Sequence, residues 1–284
     1  TNFLWKIKFF KSNVKKNDTI YNELDEKGIV VIQNFFSNED YEFLMNELNK
    51  IEKENYFSLT ENHVDSNVNW LTGKIYSDFE RTNKIYYLID KNFKRYLPYI
   101  EKVLKLKINS KITYSYQNLY LPLGKKDIKD SNATWHHDRM FPCIKSFIIL
   151  EDCMSLENGP YNYMIGSHKL NLNRIKNEYL NSVWWVDRIK NKNKYKALGL
   201  DAFNKRLDYL ENCEKKPILA PKNSLIISNN MGFHKRGRLM GGFSRKMIRI
   251  LFYDFQLPYY KRFLKKIVTN YTDKNKIKNL SNSN

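Results

Sequence analysis

The chain is poor in cysteine. Its 284 residues include three, Cys143, Cys153 and Cys213, and none of them has the C-x-x-C spacing of a zinc knuckle or a redox motif. An odd number of thiols also argues against a disulfide framework. We therefore expect reduced thiols, and a small fold held together by disulfides is excluded.

Long hydrophobic runs are missing as well. No stretch approaches the roughly 18 consecutive apolar residues that a membrane helix requires. The first residues mix aromatic side chains with lysines, so they lack the uninterrupted apolar core of a secretory signal. The resulting expectation is a cytoplasmic protein without a membrane span.

Acidic residues are scarce relative to basic ones. The chain has 49 Lys and Arg against 30 Asp and Glu, which gives a net charge of +19. Such an excess can attract nucleic acid, an anionic lipid surface or an acidic substrate, and charge alone does not choose between them. The lysines are spread over the whole chain without a recognisable nucleic-acid-binding motif. No nucleic-acid partner is expected, and a basic nucleic-acid-binding protein stays an alternative hypothesis.

Short strands are predicted over much of the chain. Residues 29–32 form a β-branched run, and Ser37, three residues before Asp40, is typical of a helix start. Later runs rich in β-branched and aromatic residues, separated by Gly, Pro and Asn, predict strands at 112–121, 146–150, 161–165, 224–228 and 247–255. This alternation of short strands and turns favours a sandwich or jelly roll.

The chain is predicted to form a single domain over residues 1–260. Within it, residues 171–213 are polar and compatible with helix, and they interrupt the strand pattern. Long excursions from a β core are often lids or substrate-contacting segments, so we predict a helical or lid insertion there. Residues 261–284 are basic and polar, which is typical of a tail.

Histidine is rare, and two of the five histidines, His136 and His234, stand where a metal site would need them. In Trp135-His136-His137-Asp138, the H-x-D spacing places one imidazole and one carboxylate on the same side of an extended chain. His234 follows the predicted strand at 224–228 and is the candidate third ligand. Two histidines and one carboxylate on one face of a metal are typical of non-haem iron(II) oxygenases.

A candidate anion site follows the third histidine. Arg245 begins the last predicted strand, and a guanidinium fork suits bidentate capture of a carboxylate such as the distal one of 2-oxoglutarate. Arg236 and Arg249 compete for this role, and Arg249 shares the strand face of Arg245. Gln117, on the strand before the metal motif, is a further candidate contact for the cosubstrate. Lys145 and Lys169 are either solvated or in contact with an anionic substrate.

Four motifs follow one another along the chain: Gly28-Ile29-Val30-Val31-Ile32 with Asn34-Phe35-Phe36-Ser37, Trp135-His136-His137-Asp138, Glu157-Asn158-Gly159-Pro160 with Gly166-Ser167-His168-Lys169, and Gly232-Phe233-His234 with Arg245. With these motifs in this order, the sequence from about Leu24 to Phe255 resembles the phytanoyl-CoA dioxygenase-like family of 2-oxoglutarate oxygenases. Together they are far more specific than any one motif.

The resemblance implies a mainly β fold with flanking helices, built on a double-stranded β-helix (jelly-roll, cupin-like) core. It implies Fe(II) held by His136, Asp138 and His234, 2-oxoglutarate anchored by Arg245, and O₂ as oxidant. The implied enzyme decarboxylates 2-oxoglutarate to succinate and CO₂ while it hydroxylates a small or medium organic molecule. The positive charge favours an anionic substrate, and a non-catalytic relative is the alternative.

Overall fold

The structure is a computed structural model. It describes residues 14–15, 18–59, 67–105, 107–108, 112–127, 133–138, 143–172, 174–175, 179 and 213–252. The predicted lid at 171–213 lies outside these residues except for a few positions near its ends. The predicted tail at 261–284 lies wholly outside them.

The described residues form helices and antiparallel strands. In chain order they are α1 (Thr19–Glu26), β1 (Ile29–Ile32), α2 (Asn38–Lys53), β2 (Ser58–Leu59), β3 (Asn69–Ile75), α3 (Glu80–Lys94), α4 (Leu97–Leu104), β4 (Ile112–Tyr120), β5 (Ile144–Ile149), β6 (Tyr161–Met164), β7 (Lys215–Ile218), β8 (Ser224–Asn229), β9 (His234–Arg236) and β10 (Ser244–Phe252). A large sheet has the order β1-β8-β5-β10-β4-β3-β2, and a small sheet has the order β7-β6-β9.

Helix α2 begins where the sequence predicts. The Ser37 hydroxyl oxygen accepts a hydrogen bond from the Asp40 backbone N–H at 3.1 Å, which caps the helix. Leu44, Leu48 and Ile51 then recur at helical spacing and are buried. They belong to a core that the helices share with the outer face of the large sheet.

Side chains of the large sheet alternate between two cores. In β10, Ile248 and Ile250 pack with the helices, whereas Met247 faces the small sheet. The two sheets touch at Phe147 of β5 and Tyr161 of β6, whose ring centroids are 5.1 Å apart. This arrangement confirms the predicted mainly β fold with flanking helices and a jelly-roll core.

Strand β10 is longer at its start than predicted. It begins at Ser244 rather than Met247, because Ser244 and Arg245 already pair with Tyr120 and Leu119 of β4. Arg245 therefore lies within the sheet, as the second residue of β10.

Two expectations about composition can be compared with the structure. All three cysteines are described, and none of them forms a disulfide. Among the described residues, none of the helices has the length and apolar character that a membrane crossing requires.

Candidate metal centre

The three predicted ligands meet at the edge of the small sheet. His136 and His234 form a β-bridge, in which each backbone N–H donates to the carbonyl of the other residue at 3.0 and 2.8 Å. Two residues on, the Asp138 N–H donates to the Asn230 carbonyl at 3.1 Å. The potential ligand atoms of His136, Asp138 and His234 all lie within 4.8 Å of one another. Backbone pairing between distant parts of the chain thus brings His234 next to His136 and Asp138.

Backbone carbonyls set the orientation of both imidazoles. Nδ1 of His136 is 2.7 Å from the Thr134 carbonyl oxygen, and Nδ1 of His234 is 3.0 Å from that of Gly232. A carbonyl oxygen only accepts, so each Nδ1 carries the proton and each Nε2 keeps its lone pair. Nε2 of His234 lies 3.7 Å from Oδ1 of Asp138. This tautomer is the one that binds a metal through Nε2.

The charges of the cluster also suit a metal. Burial lowers the pKa of His136. Burial and the neighbouring His136 lower the pKa of His234 to about 3. Burial alone would raise the pKa of Asp138, but the Lys145 ammonium, His234 and Asn230 together hold it below its ordinary value. Two neutral imidazoles and one carboxylate result, which is a donor set that fits Fe(II).

Two residues that the motif does not contain hold the Asp138 carboxylate. The Lys145 ammonium is 2.7 Å from Oδ2, and the Asn230 amide donates to the same oxygen at 2.9 Å. Asn230 is itself oriented by Ser228, whose hydroxyl donates to its amide oxygen at 2.7 Å. Sequence reasoning missed Asn230, because nothing in its local pattern separates it from an ordinary turn asparagine.

A small cavity between the two sheets contains Arg245. Its lining consists of Phe147, Ile149, Cys153, Tyr161, Ile218, Ile226, Arg245 and Met247. Arg245 is only 6% exposed, and it donates from Nη1 to the Gly159 carbonyl. Burial lowers its pKa to about 10, so it stays charged at neutral pH. Among the described residues, no carboxylate forms an ion pair with Arg245. A buried cation of this kind fits an anionic ligand.

Tyr161 connects this cavity to the metal ligands. Its ring lines the cavity, and the ring centroid is 5.5 Å from that of His234. Its hydroxyl is 3.2 Å from the Ser228 hydroxyl, next to Asn230. Tyr161 therefore lies between Arg245 and the candidate metal ligands.

The competing arginines have different surroundings. Arg236 makes a bidentate ion pair with buried Asp127, at 2.6 and 3.0 Å, which argues against a cosubstrate role. Arg249 lies on the same strand face as Arg245, four residues further along β10. Gln117 is buried on that face, opposite Met247 of the cavity lining. Its role as a cosubstrate contact stays a prediction.

The other described histidines lie apart from the cluster. His137 packs edge-on against Phe233, with ring centroids 5.2 Å apart. Nε2 of His168 lies 3.0 Å from the Asp25 carbonyl oxygen, and it ties the loop after β6 to the end of α1. Neither residue belongs to the group that could hold a metal.

A solved structure shares this architecture. No protein-family model and no curated protein matches the sequence. The crystal structure of AviO1 from Streptomyces viridochromogenes Tue57 aligns with a TM-score of 0.52 at 11% identity, over 84% of this chain and 94% of that one. A Pseudomonas putida prolyl-4-hydroxylase aligns with a TM-score of 0.49 at 12% identity, over 83% of this chain and 97% of that one. SnoK, a non-haem α-ketoglutarate-dependent carbocyclase of nogalamycin biosynthesis, aligns with a TM-score of 0.48 at 10% identity, over 85% of each chain. This chain has the fold of AviO1, and at 11% identity the likeness concerns the fold alone.

Proposed function

We propose that this protein is an Fe(II)- and 2-oxoglutarate-dependent dioxygenase that hydroxylates a small or medium organic substrate. One observation carries the proposal. Two Nδ1-protonated imidazoles and one carboxylate converge within 4.8 Å, and a buried arginine lies in the adjoining cavity. A metal-binding cluster alone fits many proteins, but a cluster beside a carboxylate receptor fits a metal-chelating keto acid.

The ligand set determines what the metal can accept. His136, Asp138 and His234 would hold the ion, and a set of three protein ligands would leave it able to bind small molecules as well. Iron bound there supplies the oxidation of 2-oxoglutarate by O₂ to succinate and CO₂, coupled to hydroxylation of the substrate. Asp138 favours hydroxylation over halogenation, since the carboxylate takes the place that a halide would need.

Arg245 binds and orients the cosubstrate. Its guanidinium group pairs with the distal carboxylate, and the apolar walls formed by Phe147, Ile149 and Met247 exclude water from this contact. A desolvated ion pair is strong and directional, so the keto acid end is presented to the metal.

Lys145 and Asn230 hold the Asp138 carboxylate in place. Both donate to Oδ2, which keeps the group ionised and leaves Oδ1 on the His234 side. Such contacts around a ligand orient it and tune its affinity for metal.

Formation of succinate from 2-oxoglutarate tests the proposal. The protein is loaded with Fe(II) without oxygen, exposed to O₂, and assayed across a panel of organic acids, amines and alcohols for stimulated turnover. Wild type should form iron-dependent succinate, whereas His234→Ala and Arg245→Ala should lose it. Exposed Arg238→Ala is the control for loss of an arginine near the site.

Iron and 2-oxoglutarate binding are measured in parallel, so that a missing substrate is not mistaken for a missing site. A wild-type protein that binds neither would contradict the proposed function. Equal succinate formation by wild type and His234→Ala would contradict the assigned ligand.

A further inference from the structure

A chain of three polar side chains leads away from the Asp138 carboxylate. The Asn230 amide donates to Oδ2 of Asp138 at 2.9 Å, and the Ser228 hydroxyl donates to the Asn230 amide oxygen at 2.7 Å. The Tyr161 hydroxyl lies 3.2 Å from the hydroxyl of Ser228. Ser228 and Asn230 are fully buried. Tyr161, Ser228 and Asn230 together form the relay.

The carboxylate determines the direction of every hydrogen bond in the relay. An ionised carboxylate only accepts, so the amide nitrogen of Asn230 faces Asp138 and the amide oxygen faces Ser228. Ser228 donates its single proton to that oxygen, because its alternative acceptor, the Lys145 carbonyl, is further away at 3.4 Å. Ser228 therefore accepts from Tyr161. Burial raises the pKa of Tyr161 well above its ordinary value, so the phenol keeps the proton that it donates.

The Asn230 amide contacts two of the three candidate metal ligands. Its nitrogen lies 2.9 Å from Oδ2 of Asp138 and 3.1 Å from Nε2 of His234. The backbone of Asn230 is held as well, since its N–H donates to the Cys143 carbonyl at 2.7 Å and its carbonyl accepts from the Asp138 N–H. With the backbone held, the bond from Ser228 fixes the plane of the amide. A rotation of this amide would change its distances to both ligands at once.

The ring of Tyr161 is fixed by its neighbours. Its centroid is 5.1 Å from that of Phe147 and 5.5 Å from that of His234, and the ring lines the cavity of Arg245. A side chain packed in this way donates from a defined position. Phenylalanine would fill the same space without a buried polar group to satisfy, so the hydroxyl indicates a role besides packing.

We propose that Tyr161 is a positioning residue for the metal centre: its hydroxyl acts through the relay to hold the Asp138 carboxylate in the orientation that binds the ion. This inference rests on the proposed function and deepens it, because it assigns a wall of the cosubstrate cavity to the support of a metal ligand. Hydrogen bonds in a chain polarise and strengthen one another, so the first donor affects the last acceptor.

The iron affinity of variants that lack one hydroxyl tests the relay. Wild type, Tyr161→Phe and Ser228→Ala are titrated with Fe(II) against a competing chelator, without oxygen and without 2-oxoglutarate. Loss of a partner that orients a metal ligand typically lowers affinity about 10- to 100-fold, which we expect for Ser228→Ala, and about 3- to 10-fold for the more distant Tyr161→Phe. The matched control is Tyr114→Phe, which removes a phenol bonded to Asp90 at 3.0 Å in the core beside the helices and should leave iron affinity unchanged.

Two further measurements separate positioning from a merely structural role. The double variant should bind iron no more weakly than Ser228→Ala, because without Ser228 the Tyr161 hydroxyl no longer acts on Asn230. The visible absorption of the Co(II)-substituted protein, which reports coordination geometry, should change in Tyr161→Phe and stay unchanged in Tyr114→Phe. Denaturant unfolding of both phenylalanine variants shows any general loss of stability. Tyr161→Phe and its Co(II) spectrum decide the question if the serine variant fails to fold.

Wild-type iron affinity and an unchanged Co(II) spectrum in Tyr161→Phe would overturn the proposal, and so would additive losses in the double variant. Weaker 2-oxoglutarate binding at unchanged iron affinity would overturn it too, since Tyr161 would then be a cosubstrate contact. Failure of the proposed function is distinguishable. A wild type that binds iron without 2-oxoglutarate would contradict that function alone, whereas one that binds no metal would contradict both.

Discussion

At the scale of single residues, Arg245 is a buried cation, and the proposed function makes it the partner of a carboxylate. Burial lowers its pKa to about 10, but the side chain remains charged at neutral pH. Its hydrogen bond to the Gly159 carbonyl satisfies one donor and leaves the charge itself without a carboxylate among the described residues. Burying a cation is costly, and an incoming carboxylate offsets that cost directly. The same cost explains why the site should discriminate strongly against neutral ligands.

Replacement of Arg245 by Gln should therefore separate cosubstrate binding from metal binding. We expect 2-oxoglutarate affinity to fall at least about 100-fold, because a desolvated charge pair is lost. Iron uptake should remain at the wild-type level. Anaerobic titration of the iron-loaded protein, followed by visible absorption, measures the first quantity, and a competing chelator measures the second. An unchanged 2-oxoglutarate affinity would transfer the anchor role to another residue.

Lys145 should act on the metal through Asp138. Its ammonium is 2.7 Å from Oδ2, and the Lys145→Gln variant removes this ion pair. We expect iron affinity to fall about 10-fold, as is common when a partner of a metal-ligating carboxylate is lost. Chelator competition is the measurement, and Lys246→Gln is the control on the opposite sheet face. Equal iron affinity in the two variants would show that the ion pair does not position Asp138.

At the scale of elements, the turn between β8 and β9 brings His234 to the site. The Tyr163 hydroxyl donates to the Asn229 carbonyl at 2.7 Å, and the Phe233 N–H donates to the Ser167 hydroxyl oxygen at 2.8 Å. These contacts attach both ends of the turn to the small sheet and the loop after it. Gly232 lies between them, where an added Cβ would overlap the Tyr163 hydroxyl.

Gly232→Ala should consequently both destabilise the protein and displace His234. We expect a loss of about 1–3 kcal/mol in the free energy of unfolding, which is typical of overpacking a filled site. Iron affinity should fall with it. The control is Gly124→Ala, where an added Cβ meets nothing within 4 Å although φ is +77°. Denaturant unfolding and chelator competition check both effects, and normal iron affinity in Gly232→Ala would show that the turn tolerates the added methyl group.

At the scale of the whole molecule, buried neutral histidines link folding to pH. Burial lowers the pKa of His136, His168 and His234 in the folded protein. Their unfolded pKa is near 6.5, so acid protonates the unfolded chain before the folded one. The stability from these residues is fully present above the unfolded pKa and is lost as pH falls below it towards the lowered folded values.

As the pH falls from about 7.5 to about 5.5, the free energy of unfolding of the metal-free protein should therefore decrease. Each histidine contributes a slope of at most about 1.4 kcal/mol per pH unit. His168→Gln should reduce the proton uptake on unfolding by about one, and the slope in proportion, since it removes one buried histidine outside the candidate metal site. Denaturant unfolding at a series of pH values measures the slope. A wild-type stability that is independent of pH in this window would contradict the assignment of buried neutral histidines.

The sequence alone was sufficient to predict the candidate ligands that the structure brings together, and most of the β framework. His136 and Asp138 could be paired because the distance between positions i and i+2 of an extended chain is local geometry. The predicted strands at 112–121, 146–150, 161–165 and 224–228 match β4, β5, β6 and β8 closely, since alternating and β-branched patterns are also local. Strand β3 and helices α3 and α4 were not predicted. Strand β3 depends on its pairing with β4, and the two helices depend on their packing against the core, so all three rely on contacts between distant residues.

Only the tertiary structure decided which arginine meets which partner. Arg236, Arg245 and Arg249 carry the same guanidinium and lie within 14 positions of one another. Pairing with Asp127, enclosure between two sheets and placement beside Lys145 distinguish them. Asn230 and Lys145 likewise reach Asp138 from positions that no local spacing connects to it. Local geometry depends on neighbouring residues and can therefore be predicted from the sequence. Burial and charge pairing depend on contacts between distant residues, which the register of the strands determines.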